Sequence, residues 1–336
     1  EGQRLMRRKE FHMANRALLD SIDYANGTIR LDGKEYKLLD SNFPTIDPDN
    51  PYELSSEEAL VVERLTSAFT NCEKLQRHMN LLLKKGSLYK VYNNNLLYHG
   101  CIPLNEDGSF KAVDIYGKKY KGKALYEVLE AYVRKAFVAI DENEREKGKD
   151  ILWFIWSSPG SPLFGKQKMA TFERYFLAEK ETHEEKKNPY YRLLEDETVI
   201  NRIMREFGLE EGCAHIVNGH VPVHHAAGES PIKCNGKVLV IDGGFSKAYQ
   251  KETGIAGYTL IYNSWGMILA AHEPFTSAED AITRETDILS DSILVKRSMI
   301  RKTVEDTDNG RKLKENIEEL KALLAAYRSG TIIEKE

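Results

Sequence analysis

The sequence predicts an α/β fold, a layered sandwich of sheets and helices. Three observations lead there. Four apolar strand-like runs, "CAHIVNGH", "KVLVIDGGF", "YTLIYNS" and "MILAAHEPF", crowd residues 213–275. The last two flank Asn263-Ser264-Trp265-Gly266, which reads as a tight hairpin turn. Long amphipathic stretches at 122–150 and 309–330 supply helices that need a sheet or another helix to cover their apolar faces.

Taken in order, "RRKEFHMANRALLDSIDY" has apolar residues near helical spacing and predicts a helix over 7–24. "GTIRLDGKEYKLL" alternates around Asp32-Gly33 and predicts a hairpin. Residues 55–86 predict a long helix. Ser55 or Ser56 caps it, glutamates fill its first turn, lysines its last, and Gly86 ends it, with a break near Thr70-Asn71. "SLYKVYNNNLLYHG" predicts two short strands around Asn93-Asn94. The stretch 122–150 predicts one helix with a charged tail, followed by a buried apolar run, "ILWFIW". Residues 171–209 read as helical and highly charged, interrupted at Asn188-Pro189. The terminal helix has an apolar face of Leu313, Ile317, Leu320 and Leu324, suited to its own domain or to a neighbouring subunit. A homo-oligomer is therefore left open.

The chain has 336 residues, 41% of them hydrophobic, enough for one large or two ordinary domains with a real core. A net charge of −4 gives no general field for nucleic acid. No apolar run is long enough for a transmembrane helix. Cys72, Cys101, Cys213 and Cys234 show no Cys-x-x-Cys spacing and read as reduced thiols of a cytoplasmic protein.

The chemistry concentrates at histidines. "HIVNGHVPVHH" holds four of them within residues 215–225. His220 ends an apolar strand beside Gly219, as His99 ends "NLLYHG" beside Gly100. A strand end holds a side chain rigidly, and a neighbouring glycine lets a ligand approach the backbone. Neutral imidazole is a common metal ligand, and a satisfied half-buried histidine is the plainer alternative at either position. After "VLVIDGG", Gly243 and Gly244 could bring backbone N–H groups to a phosphate, with Lys247 and Tyr249 close behind. A plain strand-to-loop corner explains the same residues.

"GSLYKVYNNNLLYHGCIPL" followed by "IVNGHVPV" resembles the last metal-ligand segments of the calcineurin-like metallophosphoesterases. "EKLQRHMNLLLKKGSLY", "LFGKQKMATFERYF", "EKETHEEKKNPYY" and "VIDGGFSKAYQKETGIAGYTLIYNSWGM" resemble, more specifically, the class III fructose-1,6-bisphosphatases of Firmicutes. The resemblance implies a calcineurin-like α/β/β/α sandwich with mixed sheets and additional helices. It implies His99 and His220 as metal ligands, two divalent ions of which Mn²⁺ is the expected species, and fructose 1,6-bisphosphate as substrate. His99-Gly100-Cys101 departs from the family's His-Gly-Gly. Arg174, Lys186, Lys187, Lys247 and Tyr249 become candidates for the substrate phosphates. His183 reads as surface; His224 and His225 read as loop residues, with His225 a candidate proton donor to the leaving alkoxide.

The family's earlier Asp-x-His, Gly-Asp-x-x-Asp-Arg and Gly-Asn-His motifs do not occur here. Two histidines cannot hold two metals. The chain also opens without Met, within an expected helix. The expectation is a C-terminal half, completed by an N-terminal half carrying most of the ligands. Its expected regions are 1–86, mainly helical with a small hairpin; 87–276, half of the sandwich; and 277–336, an extension with the terminal helix. Two rival readings are a metallophosphoesterase acting on a phosphoprotein or nucleotide, and a non-catalytic regulatory module.

Overall fold

The computed structural model describes residues 2–210, 212–244, 246–275, 277–285 and 290–333. It divides into two compact units, 1–89 with 99–193, and 90–98 with 194–336. The expected region 1–86 falls within the first unit and 277–336 within the second, while 87–276 is shared between them.

The first unit opens with a short helix, α1 (Gly2–Met6), followed not by the expected continuous helix but by three 3-10 turns, Lys9–Phe11, Ala14–Arg16 and Leu18–Ser21. The reason is that this segment serves two cores. Phe11 and Met13 pack with Leu5, Leu125, Leu129 and Phe154. Leu18, Leu19 and Ile22 pack instead with Ile29, Leu38 and Leu177. A straight helix could not turn its apolar residues toward both, and the chain bends at His12 (φ +50°). Strands β1 (Ile22–Asp23), β2 (Thr28–Leu31) and β3 (Lys34–Lys37) form a small antiparallel sheet. The β2–β3 turn has Asp32 at φ +49° and Gly33 at φ +83°, the doubly positive backbone expected of Asp-Gly.

Helices α2 (Ser56–Thr70) and α3 (Glu73–Lys85) bear out the expected long helix with its break. Ser55 closes a capping box with Glu58. Neither helix buries a residue, and Leu65, Phe69 and Leu82 are exposed. The chain then contributes β4 (Tyr89–Tyr92) and β5 (Asn95–Tyr98), which belong almost wholly to the second unit. Asn93 and Asn94, both at positive φ, turn between them.

Back in the first unit, β6 (Val113–Ile115) and β7 (Lys118–Tyr120) form a hairpin that the sequence reading missed. The stretch 122–157 is two helices, α4 (Gly122–Val138) and α5 (Glu142–Ser157). The expected charged tail is the first half of α5, capped by Asp141, whose side chain accepts from Glu144 N. The "ILWFIW" run is its second half: Ile151, Phe154 and Ile155 are buried, whereas Leu152 and Trp156 are exposed. The two helices meet at a glycine: a Cβ added to Gly148 would lie 1.9 Å from Ala136 Cβ. The charged region beyond holds α6 (Thr171–Phe176), two 3-10 turns, and α7 (Glu197–Glu206) in the second unit, so it breaks more often than its composition suggested.

The second unit has two sheets. In the first, β5 pairs in parallel with β8 (His215–Asn218), which pairs in parallel with β10 (Val238–Val240). β4 lies at one edge, and β9 (Ile232–Lys233), antiparallel, at the other. After α8 (Lys247–Thr253) comes the second sheet, the antiparallel hairpin β11 (Gly257–Asn263) and β12 (Gly266–His272). Helix α9 (Ala278–Arg284) precedes β13 (Ser290–Arg297), a strand the sequence reading missed; β13 joins β12. Val217 of β8, Leu239 of β10 and Met267 of β12 form one buried cluster, so the two sheets pack face to face. Helix α10 (Asp308–Arg328) is the last helix among the described residues, and its expected apolar face is exposed.

Candidate functional site

The parallel pair β8–β10 determines where chemistry can gather. In such sheets the loops leaving the C-terminal strand ends are where backbone and side chains are free to meet a ligand. β8 ends at buried Asn218, and the chain reverses through Gly219 and His220, with Val221 N donating to Gly219 O at 2.9 Å. His220 is half-buried and sits at φ +70°. A left-handed histidine is unfavourable by itself and persists where surrounding contacts hold it.

Two hydrogen bonds bind the following segment to the end of β10: Ile241 N to Asn218 O at 2.8 Å, and Val223 N to Asp242 O at 2.9 Å. His225 then opens a 3-10 turn. Its Nδ1 lies 3.3 Å from the hydroxyl of Tyr258 on β11. Burial, with Glu229 adding to it, pushes the Tyr258 hydroxyl above its ordinary range, so it stays protonated beside the imidazole. Tyr258 carried no sequence signal, because it stands 33 residues from His225 and only the tertiary fold brings the two together.

Beyond β10, Asp242 Oδ1 accepts from Gly244 N at 2.9 Å. Gly243 is demanded by packing: a Cβ there would lie 2.5 Å from Gly257 Cα. This accounts for the glycine without a phosphate, as the strand-to-loop alternative expects. Lys247 and Tyr249 follow on the first turn of α8, both exposed. Thus the second unit assembles Gly219, His220, His225, Asp242, Gly243, Gly244, Lys247 and Tyr249 around the ends of β8 and β10.

The other candidates belong to the first unit. His99, just past β5, is exposed. Gly100 is buried, and a Cβ there would lie 2.5 Å from Pro162 O, while Cys101 N donates to that oxygen at 2.8 Å. This close approach leaves no room for another residue at position 100, whatever stands at 101. Arg174 on α6 pairs with Glu185 at 3.3 Å, and Glu185 also holds Lys166 at 2.5 Å. The side chains of Lys186 and Lys187 are exposed. His183 Nε2 lies 3.0 Å and 3.1 Å from the carbonyls of Glu173 and Leu177, to which it donates, closing the end of α6.

Among the described residues no three His, Cys, Asp or Glu side chains converge in a way that could hold a metal ion. His220 and His99 offer single imidazole donors, and these residues do not by themselves fit a two-metal centre. No described helix is long and apolar enough to cross a membrane.

Residues 1–329 match the family described as Firmicute fructose-1,6-bisphosphatase. The chain is 55% identical over 335 residues to the fructose-1,6-bisphosphatase class 3 of Listeria monocytogenes serotype 4b (strain CLIP80459), covering 99% of this chain and 51% of that protein. It is 56% identical over 335 residues to the protein of that name from Clostridioides difficile (strain 630), with 99% and 51% covered. With that of Clostridium acetobutylicum the identity is 55%, over 99% of this chain and 50% of the relative. The chain thus spans about half the length of the curated relatives it matches. No solved structure matches it.

Proposed function

The chain belongs to the Firmicute fructose-1,6-bisphosphatase family, and from that premise we propose that it takes part in hydrolysing fructose 1,6-bisphosphate to fructose 6-phosphate and phosphate. The observation that carries this reading is the family match along residues 1–329, joined by relatives of that name at about 55% identity. We assign the reaction to gluconeogenesis in the bacterial cytoplasm, and the fold to the calcineurin-like α/β/β/α sandwich. The face-to-face packing of the two sheets through Val217, Leu239 and Met267 supports its two central layers.

In this reading His99 and His220 would each offer an imidazole nitrogen to a divalent ion, Mn²⁺ in the first instance. The family model and the relatives align along this chain as a whole, so they give no support to the expected restriction to a C-terminal half. Bound at these histidines, such ions would acidify a water and neutralise phosphoryl oxygens. The chain's own residues have narrower tasks. The left-handed backbone at His220 fixes its ring at the strand end. Lys247 and Tyr249 offer a cation and a hydroxyl to a substrate phosphate. His225, oriented by Tyr258, delivers a proton to the oxygen leaving phosphorus. Arg174, Lys186 and Lys187 are cations for the second phosphate, and Arg174 must exchange Glu185 for it.

The test is phosphate release from fructose 1,6-bisphosphate with Mn²⁺, by this chain and by a protein spanning the full length of the relatives. The longer protein is expected to be active, and His220→Ala in it to lose at least about a hundredfold in kcat together with bound metal. An inactive longer protein, or a His220→Ala variant with full metal content and rate, refutes the reading.

A further inference from the structure

β8 carries a second histidine at its other end. His215 begins the strand that Asn218 ends, so it sits away from the turn holding His220. It is only 6% exposed. Its Nδ1 lies 2.9 Å from Gly236 O. A carbonyl only accepts, so Nδ1 carries the proton and Nε2 presents a lone pair. That buried Nε2 has no hydrogen-bond partner. The residue paired with it on β5 is Asn95, 9% exposed. The Asn95 amide nitrogen donates to the carbonyls of Tyr92 at 3.1 Å and Asn93 at 2.9 Å. This leaves Oδ1 as an acceptor, again buried and without a partner. Two adjacent buried acceptors without donors are unusual and call for a reason.

Both residues line a partly open cavity of about 120 Å³, lined also by Tyr262, Lys296, Ser298 and Lys302 among others. Lys302 is anchored there: its N donates to Ser264 O at 2.8 Å and its ammonium lies 5.9 Å from the Tyr262 ring centroid. Neither Lys296 nor Lys302 forms an ion pair among the described residues. Two carboxylates lie nearby: Asp308 accepts from Asn93 N at 2.8 Å and pairs with Arg311 at 2.9 Å, and Asp306 accepts from Thr303 N at 2.8 Å, which holds its carboxyl below the ordinary range with Lys302 adding to it. Cys213 contributes a thiol that accepts from Asn94 Nδ2 at 3.1 Å. Burial holds the His215 imidazole below its ordinary range, and Lys296 and Lys302 lower it further against the Gly236 bond. The pocket therefore combines two cations with acceptors that need a donor.

We propose that this cavity binds a small phosphate-class oxyanion, its charged oxygens at Lys296 and Lys302 and its own O–H donated to His215 Nε2 or Asn95 Oδ1. A metal ion fits poorly beside two lysines. A carboxylate or sulfate satisfies the lysines but carries no hydrogen at neutral pH. Inorganic phosphate keeps at least one hydrogen at that pH, whereas a phosphate monoester, with its second pKa near about 6, has mostly lost it. Inorganic phosphate is thus the favoured source. The inference does not depend on the proposed catalytic reading, because it concerns binding at the opposite end of β8.

The experiment is calorimetric titration of the full chain at pH 7 with inorganic phosphate, methyl phosphate and sulfate. A His220→Ala/Lys247→Ala background keeps the turn after β8 from contributing. Saturable binding of phosphate is expected, at least tenfold tighter than sulfate and weakened at least tenfold by Lys296→Ala or Lys302→Ala, whose side chains lie outside the core. His215→Phe should narrow the preference for phosphate over sulfate, and His215→Phe with Asn95→Leu should abolish it. Methyl phosphate binding tighter than inorganic phosphate at pH 7 would overturn the donor assignment, because its dianion has no hydrogen to give to His215 or Asn95. Absence of saturable binding at millimolar ligand, indifference to both lysine substitutions, or sulfate as tight as phosphate would overturn the proposal.

Discussion

The crossing of α4 and α5 gives a stability prediction that can be worked from geometry. Replacing Gly148 with alanine puts a Cβ 1.9 Å from Ala136 Cβ and 3.2 Å from Tyr132 O. Carbon atoms rest at about 3.5–4.0 Å, so the helices must part locally by roughly 1.6–2.1 Å. Leu125 and Leu129 of α4 and Ile151, Phe154 and Ile155 of α5 are buried in that core, which is not free to follow. Overpacking of this kind costs about 1–3 kcal/mol, and a near-overlap belongs at the upper end. Alanine returns about 1 kcal/mol of helix propensity, leaving Gly148→Ala roughly 2 kcal/mol less stable. Ala136→Gly alone costs about 1 kcal/mol in propensity. The double variant removes the clash and cancels the two propensity changes, so it should lie within about 0.5 kcal/mol of the parent, a coupling of roughly 3 kcal/mol. The assay is urea unfolding followed by tryptophan fluorescence in a Trp265→Phe background. Of the three tryptophans, Trp153 and Trp156 are on α5, so the signal then reports the first unit alone. A Gly148→Ala variant as stable as the parent, or a double variant no better than the single, would refute the reasoning.

Asp150 is 1% exposed and held by Arg4 at 2.6 Å and Arg8 at 2.8 Å, tying the start of the chain to α5. Asp150→Ala removes the acceptor that both arginines share, while Arg4 keeps Glu146 at 2.7 Å and both side chains stay partly exposed, so the loss should be about 1–3 kcal/mol in the same unfolding assay; a variant as stable as the parent would mean that water replaces the carboxylate. Thiol labelling at pH 8 should modify Cys72 and Cys213, which are exposed, and spare Cys101 and Cys234, which are buried, until the chain is unfolded. Burial pushes the Cys101 thiol up to about 12. Its folded value is raised, so its contribution is intact below the unfolded value of about 8.5 and is lost as pH rises from there toward 12, by up to about 1.4 kcal/mol per pH unit. Cys101→Ala should remove that component of the alkaline slope, and an unchanged slope would contradict it.

Much of the secondary structure was legible because local chemistry decides it. Asp32-Gly33 and Asn93-Asn94 supply positive φ, Ser55 supplies a cap, and alternation around Trp265-Gly266 supplies a hairpin. The helix expected over 7–24 failed because Phe11 and Met13 answer to one core and Leu18 and Ile22 to another. Residues 142–157 are a single helix whose charged half gave no sign of belonging to the apolar half. β13 was missed because it buries none of its described side chains, and its polar ends, Asp291-Ser292 and Lys296-Arg297, leave only a short apolar run between them.

The strand-end histidines, the glycines after β10 and the family resemblance could all be read from the sequence, because strand ends and turns leave local marks and a family leaves its motifs in linear order. The partnership of Tyr258 with His225, the steric reason for Gly243, and the cavity that sets His215 and Asn95 among Lys296 and Lys302 could not. Each depends on residues far apart in sequence being held together by burial and strand pairing, and no local pattern encodes that proximity.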